Sequence, residues 1–161
     1  MDLNYGAEYE EFRQDVQAFC KEYQGVSFKS DSNDNQMNDA LSGSSTTEKT
    51  AKEVTRSEWQ KILIEKGFIA RAIPKEYGGY GGETDIIKSR IIATEFSKAK
   101  IPGGMGGQGI DMLVPTLLEW GSEEQKQKYI RPTLYGEMIW CQGYYEPNAG
   151  SDLASLQTKG E

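Results

Sequence analysis

Tyr9, Phe12, Val16, Phe19 and Tyr23 recur at alternating spacings of three and four. This places five large apolar side chains on one face of a 3.6-residue helix, with Glu, Arg, Asp and Lys elsewhere. Such a helix must lay its stripe on another element, so the chain is committed at its start to helix-on-helix packing. Gly25 suits the end of this helix. Further segments repeat the pattern. Trp59, Ile62 and Leu63 give a second helix one apolar face, with Ser57 as its expected cap and Gly67 as its stop. Thr84 is the expected cap of a third helix running through Lys100, whose broad apolar face includes Ile87, Ile91 and Phe96. Ile110 to Trp120 is apolar nearly all round and predicts a central helix, kinked at Pro115. Ser122 followed by Gln125 is a capping box for a helix that stops near Pro132 to Gly136.

Two stretches break the pattern. Ser27 to Arg56 is rich in Ser, Asn, Asp, Thr, Lys and Glu and nearly free of large apolar residues. It has little to bury against its ordering entropy, so it reads as a loop or a mobile insertion, a functional lid being the alternative. From Met138 the texture turns β-prone through Tyr145, and Glu146 to Asp152 is dense turn chemistry. The fold expectation is therefore mainly α: a helical domain over 1–137, with 27–56 as a polar insertion. A short β segment over 138–161 reads as the beginning of an incomplete β domain.

The formal net charge of −7 disfavours a phosphate backbone as partner, so nucleic acid is not expected. No apolar run approaches the roughly 20 residues of a membrane span, and the acidic amino terminus does not resemble a secretory signal or transit peptide. A cytoplasmic protein is expected. The chain has no histidine, which removes Ser-His and Cys-His nucleophilic mechanisms and the common zinc sites. Cys20 and Cys141 form no metal-type pair and are expected to be reduced and packed.

Three glycine-bearing stretches invite a ligand reading. Gly104-Met105-Gly106-Gly107-Gln108-Gly109 matches GxGxxG, but a helix precedes it where a dinucleotide fold needs a strand. It is either a flexible connection or backbone lying close to a ligand. Tyr77 to Gly82 is either a loop or the border of a pocket. Trp140 to Asp152 combines aromatics, an amide, hydroxyls and a glycine turn. Those are the types that a flavin ring and a pyrophosphate need, and equally those of a packed strand and turn.

The order of several motifs resembles the acyl-CoA dehydrogenase family. They are Trp120-Gly121-Ser122-Glu123-Glu124-Gln125-Lys126, Tyr129-Ile130-Arg131-Pro132, Gly136-Glu137, Trp140-Cys141-Gln142-Gly143, and Glu146-Pro147-Asn148-Ala149-Gly150-Ser151-Asp152. Upstream, Gly67-Phe68 and Ile73-Pro74-Lys75-Glu76-Tyr77-Gly78-Gly79 join them. The resemblance implies a helical amino domain, a middle β domain and a carboxyl-terminal helical domain around FAD. It implies removal of an α proton from an acyl-CoA and hydride transfer from the β carbon to the flavin. An electron-transfer flavoprotein is the implied acceptor, and a homo-oligomer the implied full-length assembly. By the same resemblance Gln142, Tyr144, Tyr145 and Ser151 would contact FAD, and Ser151 also the acyl-CoA. Tyr145 stands where the family usually has Ser or Thr, and a phenol cannot replace a short hydroxyl in place. The family's base is a glutamate of the carboxyl-terminal domain, so no catalytic residue is assigned here, and Glu146 is expected to shape its turn. A non-catalytic helical module binding a related dehydrogenase subunit or an acyl-CoA is the alternative reading.

Overall fold

The computed structural model describes residues 6–29 and 52–159, and they are mainly helical. Helix α1 (Ala7–Glu22) buries Val16, Phe19 and Cys20, and packs chiefly on α3 (Ile86–Ala99). Helix α2 (Arg56–Glu65) closes the group. Phe19 is the hub. Its ring centroid lies 4.6 Å from Tyr23, 4.9 Å from Phe68, 5.7 Å from Trp59 and 5.9 Å from Phe96. Burying each such ring is worth about 1.5–3 kcal/mol, with offset and edge contacts adding to it. The stripe read from Tyr9 to Tyr23 is thus the wall of this aromatic core.

Two caps differ from expectation. Thr55, not Ser57, caps α2: its hydroxyl accepts from Glu58 N–H at 3.1 Å, and the Glu58 carboxylate accepts from Thr55 N–H at 2.8 Å. Ser57-x-x-Gln60 has the same form, but Gln60 is drawn into the interior and cannot reach back. Asp85, not Thr84, caps α3, its carboxylate accepting from Lys88 N–H at 2.9 Å. A carboxylate also gains from the helix dipole there.

The polar stretch has structured ends. Strands β1 (Ser27–Phe28) and β2 (Glu53–Val54) pair in parallel, and Arg56 already belongs to α2. Phe28 and Val54 pack on the aromatic core and anchor the two ends. Residues 27–29 and 52–56 of the stretch expected as a mobile insertion are thus described as ordered backbone, and 30–51, with the mobility expected there, lies outside the described residues.

A second cluster gathers Ile64, Tyr77, Val114, Ile130 and Leu134 around α4 (Val114–Trp120) and α5 (Glu123–Leu134). The helix expected over Ile110 to Trp120 is a π-helical turn, Gly109–Leu113, that continues directly into α4. Pro115 follows this turn, and Val114 N–H just before it reaches back to the Gly109 carbonyl. The segment is only half central: Val114 is fully buried, whereas Trp120 is 79% exposed. The Ser122–Gln125 capping box forms as expected, with bonds of 3.3 and 2.9 Å.

After Gly136 the chain is irregular. No described segment forms a ladder with Met138 to Tyr145, and one isolated pairing joins Glu146 to Ala149. A β-prone run without a neighbour has nothing to complete its hydrogen bonds.

Candidate functional site

Between the glycine segment and the chain leaving α5 lies a cavity of about 550 Å³. One wall is Gly104 to Ile110; the other runs from Thr133 through Gly136 to Trp140, with Arg56 at the edge. No strand precedes the glycines: α3 ends at Ala99 and Lys100 turns left-handed at φ 56°. The dinucleotide arrangement is absent.

The two readings of the glycine segment divide between its residues. Gly104 and Gly109 serve close packing. A Cβ on Gly104 would lie 2.6 Å from Ile69 Cδ1, and one on Gly109 would lie 2.6 Å from Trp140 Cδ1. Gly106 and Gly107 meet no such neighbour, and Gly107 holds φ 118°, which other residues rarely adopt. Gly107 N–H donates to Asp111 Oδ2 at 3.0 Å. The segment is thus packed at two points and open at the cavity between them.

Trp140 seals the other wall. Its Nε1–H donates to Thr133 Oγ1 at 2.8 Å, and its ring meets Tyr129 edge-on at 5.7 Å. Beyond it the side chains turn outward. Gln142 is exposed and its Oε1 accepts from Gln108 Nε2 at 3.2 Å, which links the tail to the glycine segment. Gln142 and Trp140 border a smaller groove of about 230 Å³ with Met112 and Thr116. Tyr144 and Tyr145 are exposed, their ring centroids 6.4 Å apart. Ser151 is exposed on the following turn, and among the described residues no hydrogen bond joins it to Gln142, Tyr144 or Tyr145.

That turn is organised by Glu146. Its carboxylate accepts from the Thr158 hydroxyl, from Thr158 N–H at 2.6 Å and from Gln157 N–H at 3.1 Å. These bonds, the Thr158 hydroxyl first, hold the carboxyl below the usual range. Glu146 therefore shapes the loop that carries Ser151, as its position in the motif suggested.

Other polar groups serve the fold. Glu95 is 5% exposed between α1 and α3. Burial alone would push its carboxyl up, but bonds from Lys98 (3.0 Å), Gln17 (3.0 Å) and Arg13 (2.9 Å) outweigh that and lower it. Tyr77 donates to Glu123 at 2.8 Å, and its phenol is pushed up to about 12 by that bond and by burial. Tyr77 is thus a core residue. Tyr80 does border a cleft, of about 450 Å³, with Phe12, Phe68 and Arg71. Cys20 is buried, and its burial first, then Glu95, raises the thiol. Cys141 is exposed rather than packed, because its neighbour Trp140 takes the inward position. Among the described residues no acidic or cysteine cluster could hold a metal, and no helix is long and apolar enough to cross a membrane.

The model of the acyl-CoA dehydrogenase N-terminal domain matches residues 6–137. The chain belongs to the acyl-CoA dehydrogenase family. It is 36% identical over 106 residues to the acyl-CoA dehydrogenase IpdE1 of Mycolicibacterium smegmatis, which covers 66% of this chain and 26% of that protein. Two solved structures are similar. The ChsE4-ChsE5 complex from Mycobacterium tuberculosis superposes at a TM-score of 0.56 and 26% identity, over 98% of this chain and 35% of that one. The Tcur3481-Tcur3483 steroid ACAD does so at 0.53 and 29%, over 99% and 37%. The chain spans about a quarter of the length of the curated acyl-CoA dehydrogenases it matches. The matched domain ends at residue 137, so Gln142, Tyr144, Tyr145 and Ser151 lie past it.

The acyl-CoA dehydrogenase pattern did not point to Met105 or Gln108, which line the cavity, or to Gln60, which is buried behind its walls. Gln60 had a signal available: a polar residue one turn from Ile64 on the buried face of α2.

Proposed function

We propose that this chain supplies one side of the acyl-binding and flavin-facing region of a dehydrogenase that introduces an α,β double bond into an acyl-CoA thioester. The observation that carries the reading is the cavity between the open glycines and Trp140, whose Gln108 is hydrogen-bonded to Gln142 at the start of the motif. Its glycine and apolar lining suits an acyl group better than a charged one. On this reading residues 138–161 begin a β domain completed by further chain.

The donor set past Trp140 fits a flavin on one side. Gln142 offers an amide and Ser151 a hydroxyl, and no heavy atom crowds a Cβ built at Gly143 or Gly150. Gln142 and Tyr144 would lie along the ring, and Ser151 would bond to cofactor and acyl-CoA. Tyr145 replaces the usual short hydroxyl, so that bond is missing or longer. FAD, when bound, accepts the hydride removed from the β carbon. Trp140 and the glycine wall would exclude water from the acyl group. The proton-abstracting carboxylate would come from outside this chain. Electron-transfer flavoprotein is the proposed acceptor. The similar ChsE4-ChsE5 complex and Tcur3481-Tcur3483 steroid ACAD each pair two proteins, which supports assembly with further subunits of the same or a related kind.

The test uses protein of the relatives' length, loaded with FAD. Anaerobic addition of an acyl-CoA, with steroid thioesters among those tried, should bleach the flavin absorbance. A spectrum unchanged by every thioester overturns the reading. The present chain by itself should bind FAD weakly, because one wall covers little of the cofactor's surface.

A further inference from the structure

The cavity walls come from segments far apart in sequence, and the residues after Lys100 and after Tyr135 have left their helices. Irregular segments need outside anchors to keep a spacing. The anchor behind both walls is the first half of α2. Ser57 Oγ donates to the Tyr135 carbonyl at 3.3 Å, and Trp59 Nε1–H donates to the Pro102 carbonyl at 3.1 Å. Each of these touches one side.

Gln60 touches both. It is 1% exposed. Its Nε2 donates to the Leu134 carbonyl at 2.8 Å, and its Oε1 accepts from Met105 N–H at 2.7 Å. Leu134 ends α5, where the last carbonyls have no helical partner. A single planar amide supplies one donor and one acceptor on opposite edges, which is what this bridge needs. A hydrocarbon would leave both backbone groups without that partner. A carboxylate would set negative charge against the Leu134 carbonyl. The joint is tight: a Cβ on Gly104 would lie 2.9 Å from Gln60 Oε1, and one on Gly136 would lie 2.6 Å from Met105 Cε. Past Met105 the packing is looser, since a Cβ on Gly106 would meet only Asp111 Oδ2, at 3.7 Å, and one on Gly107 nothing within 4 Å.

We infer that Gln60 is a positioning residue for this cavity. It sets the spacing between the glycine wall and the α5 wall. Its consequence for an acyl group rests on the function proposed above; the bridge itself does not.

Amide hydrogen exchange on the whole chain tests the bridge. In Gln60→Leu, Met105 and Gly106 to Ile110 should exchange about tenfold faster, the equivalent of one lost hydrogen bond. Amides around Val16 and Ile91 should keep their protection. Uniform acceleration, or none at Met105, overturns the inference. Gln60→Glu guards against a variant that fails to fold. Its ionised carboxylate keeps the acceptor for Met105 and loses the donor to Leu134. Met105 should then stay protected while Gly136 to Met138 loosen, and acidification should reverse this by restoring a donor. Equal loosening of both walls overturns the bridge. In flavin-loaded protein of the relatives' length, Gln60→Leu should raise KM for acyl-CoA about tenfold and change kcat less. If the unaltered protein fails to reduce its flavin, the functional reading falls and the exchange result stands. If it turns over and the variant keeps the same KM, the positioning role falls.

Discussion

The aromatic core of α1 to α3 and the tail from Tyr144 to Lys159 are held together by different physics. In the core, Trp59 and Phe96 each lie in ring contact with Phe19, and all three are almost wholly buried. In the tail, Tyr144, Tyr145, Leu153 and Leu156 are exposed, and the order comes from a carboxylate that collects N–H and O–H donors. Apolar burial couples many residues at once, so the core should unfold as a unit. A polar loop closed on itself couples few. The residues assigned to cofactor contact stand on the second kind of structure, and the residues that give the domain its shape on the first.

The largest expected effect breaks the core. Trp59→Ala removes the ring that joins Phe19, Tyr23 and Phe28, together with the bond to the Pro102 carbonyl. It should destabilise the chain by about 3–5 kcal/mol, read from urea unfolding. Leu153→Ala in the tail should change stability by less than about 0.5 kcal/mol in the same measurement. Comparable losses at both positions would mean that the tail belongs to the cooperative core.

Glu95 sharpens the comparison, because it is the carboxylate of the core as Glu146 is the carboxylate of the tail. Glu95→Ala strips a partner from Arg13 and Gln17 at the α1–α3 contact and should cost about 2 kcal/mol. In the unaltered chain the Glu95 carboxyl is lowered, so its contribution is present above the ordinary carboxylate range. That contribution is lost as pH falls through the depressed value. Thermal melts on descending pH should show it. A smaller loss belongs to the periphery of the helical region: Ser122→Ala removes half of the capping box of α5 and should cost about 1 kcal/mol.

Which features were legible in the sequence follows from how local their causes are. The stripe from Tyr9 to Tyr23 and the Ser122–Gln125 box depend on neighbours three and four residues away, and both were read correctly. The cap of α2 was misplaced because Thr55 and Ser57 both suit a cap by residue type, and the choice falls to Thr55 because Glu58 reaches back to it while Gln60 is held by Leu134 and Met105. The pairing of Ser27–Phe28 with Glu53–Val54 was hidden by composition, since the two apolar anchors are diluted by the polar chain between them. The candidate site was legible as a motif and not as a geometry. Nothing local says that Gln142 meets Gln108, or that Trp140 packs on Gly109.

The smallest expected effect lies in the tail and tests whether its order is self-contained. Glu146 accepts from Gln157 N–H, Thr158 N–H and the Thr158 hydroxyl, and its carboxyl is lowered by those bonds. A lowered carboxyl favours the closed loop at every pH above the ordinary carboxylate range, and the loop opens as pH falls through the depressed value. The amide proton shifts of Gln157 and Thr158 should therefore titrate together, with a midpoint below that of an ordinary glutamate, while the shifts around Val16 and Ile91 stay fixed. Glu146→Ala should move those two amides to their open-loop shifts at all pH values and leave the melting temperature of the core unchanged. Midpoints at the ordinary glutamate value would show that the carboxylate does not close the loop. A fall in melting temperature would show that the tail draws its order from the core, and the division between the two regions would then be wrong.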